Sequence, residues 1–107
     1  MKIKSINILG REYKIVYCKK PSDVDWRGRE SLWGQIDYWK RVMRIYENDR
    51  SKLDIFETIL HETLHSIETD LNLKAFDGDK GHEELEVLAL ALADTLTRNG
   101  LINLEEI

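Results

Sequence analysis

Cysteine is nearly absent from this chain. Cys18 stands alone, so no internal disulfide can form, and nothing near it suggests a cysteine-based metal site. It reads as a packing residue near a strand end. Long hydrophobic runs are missing too. The most apolar stretch, Leu85 to Ala93, has nine residues, about half of what a membrane-spanning helix needs. The opening residues Met1-Lys2-Ile3-Lys4 lack the apolar segment of a signal peptide. These absences set the expectation of a cytoplasmic protein without a membrane partner. Repeats and low-complexity segments are also lacking. A chain of 107 residues is long enough for one modest core and too short for a second, so a single domain over 1–107 is expected.

Charge is plentiful but uneven. Residues 1–52 carry 13 Lys/Arg against 7 Asp/Glu, and residues 53–107 carry 3 against 13. The basic residues Lys19, Lys20, Arg27, Arg29, Lys40 and Arg41 fall mostly at expected turns, and no nucleic-acid-binding motif accompanies them. They read as a solvated sheet face and its loops, and a nucleic-acid partner is not expected.

The first fifty residues read as strands. A loose alternation runs from Ile3 to Leu9, with a turn at Gly10-Arg11. A β-branched and aromatic segment follows from Tyr13 to Tyr17. The lone proline, Pro21, begins a loop that extends to about Ser31. Leu32–Tyr38 and Arg41–Glu47 then form a hairpin around Trp39-Lys40. Two helices follow, giving the order β-β-β-β-α-α and an α+β fold.

Histidine is scarce as well, yet its placement is the strongest signal in the chain. Two of the three histidines form His61-Glu62-Thr63-Leu64-His65, an H-E-x-x-H pattern. At 3.6 residues per turn, His61 and His65 lie on one helix face and can reach one metal ion. Glu62 is offset by about 100°, close enough to take a proton from a metal-bound water without ligating the metal. The pattern can arise by chance, so its setting matters. Ser51-Lys52-Leu53-Asp54 resembles a capping box, and Phe56, Leu60, Leu64, Ile67 and Leu71 form an apolar stripe over an expected helix at 51–71. The histidines sit beside that stripe. The competing reading is a pair of ordinary histidines at the edge of an amphipathic helix.

A catalytic zinc site takes a third protein ligand and keeps one position open. His82, the remaining histidine, opens a second expected helix at 82–98. Gly78 and Gly81 mark a turn before it, and Asn99-Gly100 stops it. Its apolar side centres on Leu85, Ala89, Leu92 and Leu96. His82 is the best-placed third ligand, with Glu86 and Glu83 as alternatives. Glu86 is also placed to orient an imidazole without touching the metal.

The chain resembles minimal zincin-fold metallopeptidases, in particular small phage and prophage proteins of the ImmA/IrrE type. The resemblance rests on Gly10-x-x-Tyr13, Gly34-x-x-Asp37, Ile45 before a short loop, and Ile59-Leu60-His61-Glu62-Thr63-Leu64-His65. A second helix reading Leu85-x-x-Leu88-Ala89-x-x-Leu92-x-x-x-Leu96-x-x-Asn99 completes it. It covers nearly the whole chain, but only H-E-x-x-H is specific. Many such proteins look like gluzincins, with a glutamate as third ligand. Aligning the apolar positions puts His82 where that glutamate would stand. Glu68 and Leu71 occupy the places where a metzincin motif needs Gly and His, so that class is excluded.

The resemblance implies a Zn2+-dependent peptidase, possible phage or prophage origin, and a protein or peptide as substrate. Glu62 is then the general base, and His61, His65 and His82 hold the zinc. Leu32–Tyr38 or Arg41–Glu47 would bind substrate as an added strand, and Tyr38, Tyr46 or Arg44 would stabilise the oxyanion. The alternative expectation is a zincin-fold metal-binding regulatory or interaction module without proteolytic activity.

Overall fold

A computed structural model describes residues 2–28 and 32–107. Met1, and residues 29–31 with Arg29 and the expected loop end at Ser31, lie outside the described residues. The observed order is β1 (Ser5–Ile8), β2 (Arg11–Cys18), β3 (Gly34–Asp37), β4 (Val42–Tyr46), α1 (Lys52–Asp70) and α2 (Gly78–Arg98). Short 3-10 turns occupy Pro21–Asp23 and Leu104–Glu106. This is an α+β architecture, with strands first and helices after.

The four strands form one mixed sheet in the order β1-β2-β4-β3. β1 and β2 pair antiparallel, β2 and β4 parallel, and β3 and β4 antiparallel. The first hairpin turns through Leu9 (φ 51°) and Gly10 (φ 83°), one residue earlier than expected. Positive φ at both central residues matches the right-handed twist of the flanking strands. At the second hairpin, Asp37 Oδ1 accepts the N–H groups of Trp39 and Lys40, each at 3.0 Å. That carboxylate replaces backbone partners which the turn cannot supply.

Helix α1 lies across the sheet, touching β1, β3 and β4, and α2 packs on α1. The core gathers Ile8, Tyr13, Ile15, Ile36, Met43 and Ile45 from the sheet with Ile55, Phe56 and Ile59 from α1. Ala93 of α2 and Ile107 complete it, with Leu96 packed alongside. Cys18 is buried at the end of β2, as expected of a packing residue near a strand end.

The N-cap half of the expected capping box is present. Ser51 is the N-cap of α1, and its hydroxyl accepts the Asp54 N–H at 3.1 Å. The buried face of α1 differs from the expected stripe of Phe56, Leu60, Leu64, Ile67 and Leu71: only Phe56 of that stripe is buried, and Leu60, Leu64 and Ile67 are half-buried. The buried residues of α1 are Ile55, Phe56, Thr58, Ile59, Glu62 and Ser66, while Leu71 lies beyond the helix and is exposed. The cause is tertiary: α1 has the sheet on one side and α2 on the other, so it buries two adjoining faces.

Helix α2 starts at Gly78, four residues before the expected His82, with Asp77 as N-cap. Gly78 and Gly81 therefore do not form a turn outside the helix. Gly81 is buried inside it because Phe76 backbone packs against its Cα, where no side chain fits. The Asn99-Gly100 stop is found where expected. Gly100 takes φ 67°, and the Leu101 N–H closes on Leu96 O at 2.9 Å. On the inward face, Ala93 is buried together with Leu85 and Ala89, whereas Leu92 and Leu96 are only half-buried.

Glu47, just past β4, ties the chain ends of the sheet by accepting the Nζ groups of Lys2 and Lys19. Partial burial pushes its carboxyl pKa up, but the two ammonium groups outweigh this and hold it below the ordinary value. A depressed carboxyl pKa stabilises the fold above the unfolded-state pKa, and the contribution fades as pH falls through the folded-state value. Glu47→Gln is therefore expected to lower the melting temperature at pH 7. The difference from wild type should vanish in strong acid, as followed by thermal melts across pH.

Candidate metal centre and cleft

The three histidines converge. His61 and His65 are one turn apart on α1, and their Nε2 atoms stand 3.0 Å from each other. His82, from the first turns of α2, brings its ring to 5.2 Å from that of His61 and 5.4 Å from that of His65, between centroids. One ring nitrogen from each lies within 4.8 Å of the others. Two ligands on one tetrahedral zinc, at Zn–N of about 2.0–2.1 Å, would stand roughly 3.3 Å apart. The α1 pair matches that spacing, and the third nitrogen is within reach, so the donor set fits a zinc ion.

Electrostatics agree with the geometry. Burial, then the neighbouring His65 and His82, push the His61 pKa down to about 4. Burial and His82 lower that of His65 as well. An imidazole must be neutral to ligate, so the α1 pair is ready for a metal at neutral pH without first losing protons.

Of the two alternative ligands, Glu86 stands one turn beyond His82, with Oε1 3.4 Å from its Nε2. Glu83 lies apart from the three rings, on the outer face of α2 with Lys80, Glu84 and Val87.

Glu62 sits on the core side of α1, with only 8% of its surface exposed. Burial alone raises its pKa to about 7. β3 explains the burial: an added Cβ at Gly34 would stand 2.5 Å from Thr58 Cγ2, 3.3 Å from Glu62 Cγ and 3.5 Å from Glu62 Oε1. Thr58 cannot easily turn aside. Its hydroxyl is held by Arg50 Nη2 at 2.6 Å and itself donates to Asp54 O at 3.1 Å. Gly34 shapes the surroundings of Glu62; an isolated glycine inside a strand is the signal for such close approach. Gly34→Val should destabilise the protein by about 2 kcal/mol through overpacking. It should also displace the Glu62 carboxylate, which thermal melts and a crystal structure of the variant would check.

A cleft of about 970 Å³ runs along this arrangement. One wall is the segment Leu32–Ile36 with Tyr38; the other comprises Asp54, Glu57, Thr58, His61, Glu62 and His65 of α1 with His82 and Glu86 of α2. β3 pairs only with β4, so its other edge is free among the described strands. At the far end the Arg50 guanidinium stacks 4.6 Å over the Trp33 ring, and its Nη1 donates to Tyr46 O at 2.8 Å. Neither Arg50 nor Trp33 is singled out by any sequence motif, because only the fold brings them to the cleft.

The three expected oxyanion donors separate. Tyr38 lines the cleft, and its hydroxyl oxygen accepts from Thr69 Oγ1 at 3.4 Å, which leaves its own proton to donate. Tyr46 lines the far end, beside Trp33 with ring centroids 5.7 Å apart. Arg44 is not among the cleft residues; it donates to Asp23 O at 3.3 Å, on the side where the 21–23 turn packs. Among the described residues, no helix is long and apolar enough to cross a membrane. Comparison with family models, curated proteins and solved structures gave no match.

Proposed function

We propose that this protein is a zincin-like, zinc-dependent peptidase. The observation that carries the reading is one constellation: three imidazoles within 4.8 Å beside a buried carboxyl, Glu62, at the edge of a cleft. His61, His65 and His82 would hold the ion. A zinc ion bound there acts as a Lewis acid, bringing the pKa of a coordinated water towards neutrality and polarising a carbonyl.

The chain's own residues supply the rest. Glu62 takes the proton of the attacking water and returns it to the leaving amine as the peptide bond breaks. Glu62 must be ionised to accept that proton, and a dication bound beside it would favour the ionised form. The free edge of β3 binds an extended peptide as an added strand, presenting it towards Glu62 across Gly34. Tyr38, with a hydroxyl proton to donate, stabilises negative charge developing on the carbonyl oxygen. Glu86 orients the His82 ring.

The reading is tested by incubating the zinc-loaded protein with a degenerate peptide library and analysing the products by mass spectrometry. Chelator-sensitive cleavage at internal bonds is expected. Stoichiometric zinc with no cleavage of the library or of folded and unfolded protein substrates would favour a metal-binding interaction module. The position of Glu86, 3.4 Å from His82, gives that second reading its footing, because a carboxylate closing the fourth position makes a structural site.

A further inference from the structure

His82 must be held still if it is to share an ion with two residues of another helix, and it lies near the start of α2, between the buried Gly81 and the fully buried Leu85. The helix reaches the main core through Ala93 and Leu96, three or more turns further on. Ahead of His82, two further contacts fix the helix start, and both fall on the backbone of Phe76. The first is Gly81, the residue before His82. A Cβ there would stand 2.5 Å from Phe76 O and 2.6 Å from Phe76 Cα, so the two backbones touch where any side chain would force them apart. The second is Glu68 of α1, whose Oε2 accepts the Phe76 N–H at 3.0 Å. The other hydrogen bonds in this connection are local: Asn72 N–H to Thr69 O, Leu73 N–H to Glu68 O, and Asp77 N–H to Lys74 O. Glu68 lies three residues after His65, so it projects from nearly the same face of α1 as that ligand.

We propose that Glu68 and Gly81 clamp the Phe76 backbone and thereby set the separation of His82 from His61 and His65, making Glu68 a positioning residue for the metal rather than a ligand to it. The device is economical in parts. The helix that carries two ligands holds, through one carboxylate, the strut on which the third ligand rests. The proposal rests on the metal-binding reading above, but the clamp is a property of the metal-free chain and can be observed without an ion.

The experiment uses the full chain as wild type, Glu68→Ala, Glu68→Gln and Gly81→Ala. Zinc affinity is measured by competition with a chromophoric chelator, coordination by the visible spectrum of the cobalt form, and the Phe76 amide by hydrogen exchange in the metal-free protein. Glu68→Ala and Gly81→Ala are expected to weaken zinc binding by about 10–100-fold and to alter the cobalt spectrum. Glu68→Gln should stay within about threefold of wild type, because its amide oxygen accepts the same N–H bond. Phe76 exchange should be slow in wild type and Glu68→Gln and fast in Glu68→Ala. Should Gly81→Ala fail to fold, the Glu68 pair still decides. Wild-type affinity in Glu68→Ala would overturn the proposal. So would equal weakening in Glu68→Gln, which would assign the effect to negative charge near His65. A wild-type protein that binds no zinc overturns the metal reading itself and removes the proposed purpose of the clamp, while slow Phe76 exchange lost in Glu68→Ala alone would still establish the clamp as a fold element.

Discussion

Glu62→Gln is expected to abolish peptide hydrolysis and, at the same time, to stabilise the metal-free protein above pH 7. The two effects share one cause. The Glu62 carboxyl is buried against β3 at Gly34, and burial raises its pKa from 4.5 to about 7. In the unfolded chain it ionises near its ordinary value. Between those two pH values the folded state therefore binds more protons than the unfolded state. Wild-type stability must then fall as pH rises through that window. A shift of this size corresponds to at most about 3 kcal/mol above pH 7, and nothing below the unfolded-state pKa. Glutamine has no charge to bury. Its amide carries a burial cost of its own, but that cost does not vary with pH. The readout is therefore the stability difference between variant and wild type, measured by urea unfolding with chelator present from pH 4 to 8.5. A flat difference would mean that Glu62 is not held in a desolvated site.

His61 contributes the opposite slope. Its pKa is lowered to about 4, so stability falls as pH drops below 6.5, but it does so in both proteins and cancels in the comparison. Catalysis should respond more strongly. Loss of the general base is expected to reduce kcat by about 10²–10⁴-fold, with zinc content unchanged. Hydrolysis by Glu62→Gln at the wild-type rate would remove Glu62 from the mechanism.

The second large effect concerns the ligands. Replacing His61, His65 or His82 by alanine should weaken zinc binding by roughly 10²-fold or more, since each provides about a third of the protein's hold on the ion. Saturating zinc should raise wild-type stability by about 4 kcal/mol at a thousandfold excess over Kd, and this gain should largely disappear in each variant. Elemental analysis with thermal melts at fixed zinc concentration measures both. The His82→Ala result is the most informative of the three. Affinity equal to wild type would transfer the third ligand to a carboxylate, with Glu86 first in line at 3.4 Å from His82. In contrast, Glu86→Gln should cost only about tenfold if Glu86 does no more than orient the imidazole.

Much of this protein was determined by its sequence alone. Local rules were enough for the α+β order, for Ser51 as the cap of α1, for the Asn99-Gly100 stop and for the hairpin at Trp39-Lys40. Each depends on residues within a few positions of one another, where backbone sterics and short-range hydrogen bonds dominate. The common face of His61 and His65 follows from helical pitch in the same way.

Tertiary structure decided the rest. The parallel pairing of β2 with β4 joins segments separated by two loops and an intervening strand, and no local pattern encodes it. Which residues α1 buries depends on its packing against both the sheet and α2. Gly81 reads as a turn residue until Phe76 is seen against it; then its missing side chain becomes the reason α2 can begin at Gly78. Gly34, named in the sequence only within Gly34-x-x-Asp37, becomes part of the surface that buries Glu62. The sequence names the groups capable of chemistry, because that capability is written in residue type and short spacing. Whether a third imidazole meets the other two, and whether a carboxyl is dry enough to titrate near 7, depends on distances across elements that only the packed fold supplies.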